Sequence, residues 1–197
     1  MGKDVVNFRC HSCAHCCTEV VCLPTPWDVR RIMKMTGRDP EGFIEFLEPD
    51  EIEEVDMDDP TWIDVDGEQY MMALKRDEKL GCEFLNKETK YCSIYEARPL
   101  LCRLYPFELI QGENDEFLGF QLHKNVGCPK HTDGEYKTGP LYDLAMQDEL
   151  NQEDYCELVD IFNNKKYPNK LAWDFITLFT GGLTNFDTAM EPAEQSD

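Results

Sequence analysis

The chain has 197 residues and a formal net charge of −21, from 40 acidic against 19 basic side chains, with 42% hydrophobic and 11% aromatic residues to build a core. A surface this acidic repels nucleic acid and anionic lipid, and no run of about 18 apolar residues is present to span a membrane. The N-terminus shows no apolar signal-peptide core, so the expected location is the cytoplasm, where ten cysteines read as metal ligands ahead of disulfides.

The first element in chain order is a C-x2-C-x2-C-C cluster: Cys10, Cys13, Cys16 and Cys17. It leads into a short apolar run, Val20-Val21-Cys22-Leu23. Thr25-Pro26-Trp27-Asp28 then predicts a helix, with Thr25 as cap, Pro26 at the first helical position and Asp28 at the positive helix end. Val29, Ile32 and Met33 form its apolar stripe, and Gly37 stops it. Asp39-Pro40 predicts a second short helix carrying Phe43, Ile44, Phe46 and Leu47. Residues 48–59 are mostly acidic and read as a solvated connector.

Two hairpins follow. Residues 62–65 and 68–74 flank Asp66-Gly67, a type I′ turn signal. Residues 108–111 and 117–122 flank a looser Gly-Glu-Asn-Asp loop. Between them lies the segment with Cys82, Cys92 and Cys102. Beyond Cys128-Pro129 the pattern becomes helical over 140–163, with a break expected near Asn151, and a final short helix over 171–179 carries Trp173. These elements predict an α+β fold. Its expected parts are a cysteine-cluster metal-binding domain over 1–135, a helical extension packed on it over 136–184, and an acidic flexible tail over 185–197.

The chemistry lies in the thiols. Three soft ligands on a tight loop can wrap one metal ion or one corner of an iron–sulfur cluster. Cys82, Cys92, Cys102 and Cys128 bring the candidate ligands to eight, enough for two four-coordinate sites or for one with spares. Adjacent side chains on extended backbone point to opposite sides, so Cys17 is expected to join Cys82, Cys92 and Cys102. Cys10, Cys13 and Cys16 then take Cys128 as fourth ligand. Zinc accepts four thiolates. A C-x2-C-x2-C loop with a remote Cys-Pro, here Cys128-Pro129, is the iron–sulfur pattern and puts one or two 4Fe–4S clusters ahead of zinc. Folding is expected to depend on the metal.

Other residues have plainer readings. Cys22 and Cys156 sit in apolar stretches and read as buried free thiols. Arg98 and Arg103 either bind the cofactor, donating to its sulfurs, or pair with the acidic surface. Tyr95, Tyr105 and Phe107 read as core residues lining the site. His11 and His15 alternate with the cysteines and are expected to face solvent, and His123 and His131 are not expected to be ligands. The acidic run 48–59 lacks the glycine and spacing of an EF-hand. The chain has no phosphate loop, nucleophile elbow or dinucleotide fingerprint, so no catalytic residue is assigned.

Three blocks together resemble a known family. They are Cys10 to Cys17, then Cys82-Glu83-Phe84-Leu85, then C-x-I-Y-x-x-R-P-x-x-C-R-x-Y-P-F from Cys92 to Phe107. This pattern, spanning roughly residues 8–130, is similar to the YkgJ-type cysteine-cluster family of zinc- or iron-chelating domains. The resemblance implies metal binding by Cys10, Cys13, Cys16, Cys17, Cys82, Cys92, Cys102 and Cys128, and it implies no particular reaction. Three functions fit: an iron–sulfur protein in electron transfer or in a redox or maturation system, a zinc-stabilised interaction module, or a cluster-dependent enzyme with its site near Arg98 and Arg103. The acidic surface suits a protein partner with a basic face.

Overall fold

Residues 4–52, 56–77, 81–113, 116–124, 127–166 and 168–181 are described by the computed structural model, and the expected tail over 185–197 lies outside them. The fold is α+β, built from helices and small antiparallel sheets. It opens with strand β1 (Val5–Asn7), and the cysteine loop then closes into the single turn α1 (His15–Thr18). Helix α2 (Pro26–Thr36) begins at the predicted cap. The Asp28 amide donates to the Thr25 hydroxyl, and the Thr25 amide donates back to the Asp28 carboxylate. Gly37, at φ 66°, ends the helix in the left-handed region.

The second predicted helix does not form. Asp39-Pro40 opens only a 3-10 turn over 40–42, and the chain continues as β2 (Ile44–Leu47). Apolar residues at 43, 44, 46 and 47 suit either state, and a distant partner decides between them. After β3 (Ile63–Val65) comes β4 (Glu68–Leu74), which pairs with β2 so that Ile44 faces Leu74 and Leu47 faces Met71. The β3–β4 hairpin is the predicted one. Asp66 and Gly67 take φ of 55° and 91°, as a type I′ turn requires.

Strands β5 (Arg76–Asp77) and β6 (Gly81–Cys82) form a short antiparallel pair. Helix α3 (Leu100–Leu104) precedes the second predicted hairpin, made by β7 (Phe107–Gln111) and β8 (Phe117–Leu122). Strand β9 (Glu135–Lys137) returns to pair with β1. Helix α4 (Thr138–Asn164) runs 27 residues without the break expected near Asn151. Asn151 is buried, and its amide oxygen accepts the Gln147 side chain at 2.9 Å, which offsets its weak helix propensity. Helix α5 (Ala172–Thr180) is the final one expected. Among the described residues no helix is long and apolar enough to cross a membrane.

Two hydrophobic clusters result. The larger holds Val29, Ile32, Phe43, Ile63, Phe162 and Phe175. The smaller is built on Val6, Phe120 and Leu141, with Phe107 and Leu109 packed against it. Helix α4 joins them, since Leu141 belongs to the smaller and Tyr155, Leu158, Val159 and Phe162 belong to the larger. The cysteine cavity lies between the two: Leu74, Phe84 and Ile94 line it from the larger cluster and Phe107 from the smaller side.

Candidate metal centre

The N-terminal loop bends sharply at two non-glycine residues in the left-handed region, Ser12 at φ 53° and Ala14 at φ 62°. Such conformations cost energy and mark backbone held for a purpose. The amides of Cys17 and Thr18 close back onto the Ala14 carbonyl at 2.8 and 3.0 Å. The backbone at Cys16 and Cys17 is therefore helical, not extended. Their sulfurs stand 3.9 Å apart on one side, contrary to the opposed directions expected from extended chain. A hydrogen bond from Cys17 holds the Cys16 thiol down at about 7, with Arg98 adding to the effect against burial. The same bond, burial and the nearby sulfurs of Cys16, Cys82 and Cys92 push Cys17 up.

The other cysteines arrive on short elements tied to this loop. Gly81 lets β6 approach α1, for a Cβ there would lie 2.5 Å from the Cys17 carbonyl oxygen and 3.0 Å from Thr18 Cα. Arg76 reinforces the approach by donating to the Thr18 carbonyl at 2.6 Å. Gly81 also sits at φ 80°, which an alanine adopts only under strain. Gly81→Ala is accordingly expected to destabilise the protein by about 3 kcal/mol in chemical denaturation, from backbone strain plus overpacking. Wild-type stability in that variant would show that β6 and α1 can separate freely.

Cys92 is set by a bridge between Leu85 and Cys92, with the Ser93 amide on the Phe84 carbonyl at 2.8 Å. Cys102 rides on α3. The Leu100 amide that opens this helix donates to Asp28 Oδ1 at 3.2 Å, and Arg31 Nη2 bridges Asp28 Oδ1 and the Arg98 carbonyl at 2.5 and 2.6 Å. Cys128 reaches the outer face because the amides of Phe8 and Arg9 bond the carbonyls of Gly134 and His131, prolonging the β1–β9 pairing. The ligand segments carry regular structure, though in elements of only two to five residues.

Burial pushes Cys82 up to about 11, helped by Cys102 and Cys92, and burial also raises Cys92 against the pull of Arg98. Cys128 is raised by burial and by Cys13 and Cys10. Cys10 and Cys13 thus act on Cys128, and Cys82 and Cys92 act on Cys17. Cys16 stands between them: it touches Cys17, and it acts with Cys128 and Cys13 on Tyr105. The structure adds a ninth thiol that the motifs miss. Cys22 is buried, and the Cys102 thiol donates to its sulfur across 3.3 Å. All nine line one cavity of about 150 Å³, and Cys156 does not.

A family model covers this arrangement over residues 9–129, and its description reads "Putative zinc- or iron-chelating domain". The chain belongs to the CxxCxxCC family. Metal binding by the cysteine cluster is thereby supported. A protein of Methanocaldococcus jannaschii, named uncharacterized protein MJ0661, is 57% identical over 78 residues, which are 40% of this chain and 37% of that relative. The chain thus aligns with little more than a third of the curated relative's length. No solved structure matches it.

The donor set of this CxxCxxCC domain suits a thiophilic metal. Among the described residues no three His, Cys, Asp or Glu side chains converge as a finished single-ion shell. The sulfurs surround a space of about 150 Å³ instead. The Tyr105 hydroxyl is buried at the cavity wall, and its proton finds no acceptor among the described residues, so a sulfur-rich guest would satisfy it. Burial and then Cys128 raise that phenol to about 12, so it stays protonated as a donor.

The two arginines flank the same space. Arg98 lies 3.6 Å over the Tyr95 ring and donates from Nε to the Tyr95 carbonyl, while Arg103 donates to the carbonyls of Arg98 and Glu96. Neither forms a carboxylate ion pair among the described residues. Tyr95 itself is 54% exposed and is not a core residue. His11 is exposed and pairs with Asp133 at 3.0 Å, its ring against that of His131.

Proposed function

We propose that this protein carries an iron–sulfur cluster of the 4Fe–4S type on its cysteine cavity and serves electron transfer, or a redox or maturation system, in the cytoplasm. The observation that carries this reading is the convergence of cysteines from separate chain segments on one cavity of about 150 Å³, larger than a single ion needs. Cys10, Cys13, Cys16, Cys17, Cys82, Cys92, Cys102 and Cys128 would hold one or two clusters. When bound, such a cluster supplies one-electron transfer at a potential set by charge and by hydrogen bonds to its sulfurs. Arg98 and Arg103 offset the charge of the thiolates, and Tyr105 donates to a sulfur. The net charge of −21 suits docking to a protein partner with a basic face.

One observation favours a second reading. Tetrahedral zinc with bonds of about 2.3 Å separates its sulfurs by about 3.8 Å, close to the 3.9 Å between Cys16 and Cys17. A zinc-stabilised interaction module would use that pair. Metal and acid-labile sulfide analysis of anaerobically purified full-length protein separates the two. Iron with matching sulfide and a brown colour is the expected result. Zinc without sulfide would move the assignment to the second reading, and protein free of both would end the two together.

A further inference from the structure

Cys22 falls in none of the family's cysteine blocks, yet its sulfur lies 3.3 Å from that of Cys102. It belongs to the larger hydrophobic cluster and is 7% exposed, while Cys102 packs onto that cluster from the cavity side. Its backbone is pinned, for the Leu74 amide at the end of β4 donates to the Cys22 carbonyl at 2.9 Å. Cys22 therefore meets Cys102 where the cavity borders the larger hydrophobic cluster.

A thiol gives up its proton when it ligates a metal. Once Cys102 does so, its sulfur can only accept, and Cys22 is left as the S–H donor within reach. We propose that Cys22 is a positioning residue of the metal centre: its thiol donates a buried hydrogen bond to the metal-bound sulfur of Cys102 and sets how tightly the centre holds its metal. This rests on the reading of Cys102 as a ligand. Cys22 is not itself a ligand of the same ion in this geometry. Sulfurs sharing one tetrahedral ion stand about 3.8 Å apart, whereas this pair is closer, at 3.3 Å, and Cys22 is the more buried of the two. Partners that hydrogen-bond a ligand atom typically govern metal affinity by about 10–100-fold.

The test compares full-length wild type with Cys22→Ala, Cys22→Val and Cys22→Ser for metal stoichiometry and for resistance to a competing chelator. Cys22→Val fills the site without a donor and keeps the test valid if the alanine cavity impairs folding. Full stoichiometry with about 10–100-fold weaker retention in Cys22→Ala and Cys22→Val, largely restored by the hydroxyl of Cys22→Ser, is the expected result. Loss of stoichiometry as deep as in Cys102→Ala would make Cys22 a ligand and overturn the assignment. So would retention equal to wild type in the donor-free variants, or a Cys22→Ser variant no better than Cys22→Val. Wild type that binds no metal would refute the reading of Cys102 as a ligand, and that outcome appears before any substitution is made.

Discussion

Stripping the metal is expected to lower the melting temperature by about 10 °C or more. A ligand present at about 1,000 times its dissociation constant adds about 4 kcal/mol of stability, and each kcal/mol moves the midpoint of a domain this size by about 2–4 °C. The structure gives a reason for the effect to be global. The cavity lies between the two hydrophobic clusters, and its walls come from α1, β6, the Leu85–Cys92 bridge, α3 and the Cys128 segment. These elements are too short to hold their positions by their own hydrogen bonds. Without metal, the thiols leave a space that no side chain fills. Differential scanning calorimetry on loaded and chelator-stripped samples, both under reductant, checks the claim. An unchanged midpoint in a sample proven metal-free would refute it. Acid should promote the loss, because metal binding displaces thiol protons and a thiol such as Cys82, held up at about 11, reclaims its proton readily.

Features coded by neighbouring residues were legible in the chain. The Thr25–Asp28 capping box with Pro26, the Asp66-Gly67 turn and the Leu171 helix start all rest on contacts within four residues. Features that depend on a distant partner were not. Residues 44–47 are a strand because β4 lies beside them, and β1 is a strand because β9 returns to it. The long α4 passes through Asn151 because burial and Gln147 override a weak propensity. The site divides in the same way. Spacing marked eight cysteines as chemistry. The direction of Cys16 and Cys17 depends on a left-handed Ala14, a conformation alanine does not advertise. Cys22 looks like core because it is core, and only the fold of β4 and α3 around it makes it a neighbour of Cys102.

Asp28 shows how this architecture couples core stability to the metal centre, and Asp28→Ala is expected to cost about 3 kcal/mol, from buried donors left without their charged acceptor. The carboxylate is 1% exposed. Its Oδ2 accepts the Thr25 amide at 3.0 Å and the Thr25 hydroxyl at 3.1 Å, and its Oδ1 accepts Arg31 Nη2 at 2.5 Å and the Leu100 amide at 3.2 Å. Alanine keeps the Thr25 cap on the residue-28 amide but removes the carboxylate half of the capping box, and it strands the Leu100 amide in the interior. Arg31 is partly exposed, so water recovers some of its loss. The damage then reaches the metal, since Leu100 opens the helix that carries Cys102 and Arg31 also holds the Arg98 carbonyl. Metal should therefore leave Asp28→Ala faster than wild type under chelator. Asp148 supplies an independent readout. Its carboxyl is raised to about 6 by burial and then by the charge of Asp28. The isosteric Asp28→Asn removes that charge with less loss of shape, so Asp148 should titrate at lower pH in that variant by NMR. A denaturation cost below about 1 kcal/mol for Asp28→Ala, with metal retention unchanged, would show that the Asp28–Arg31–Leu100 bonds do not hold the centre in place.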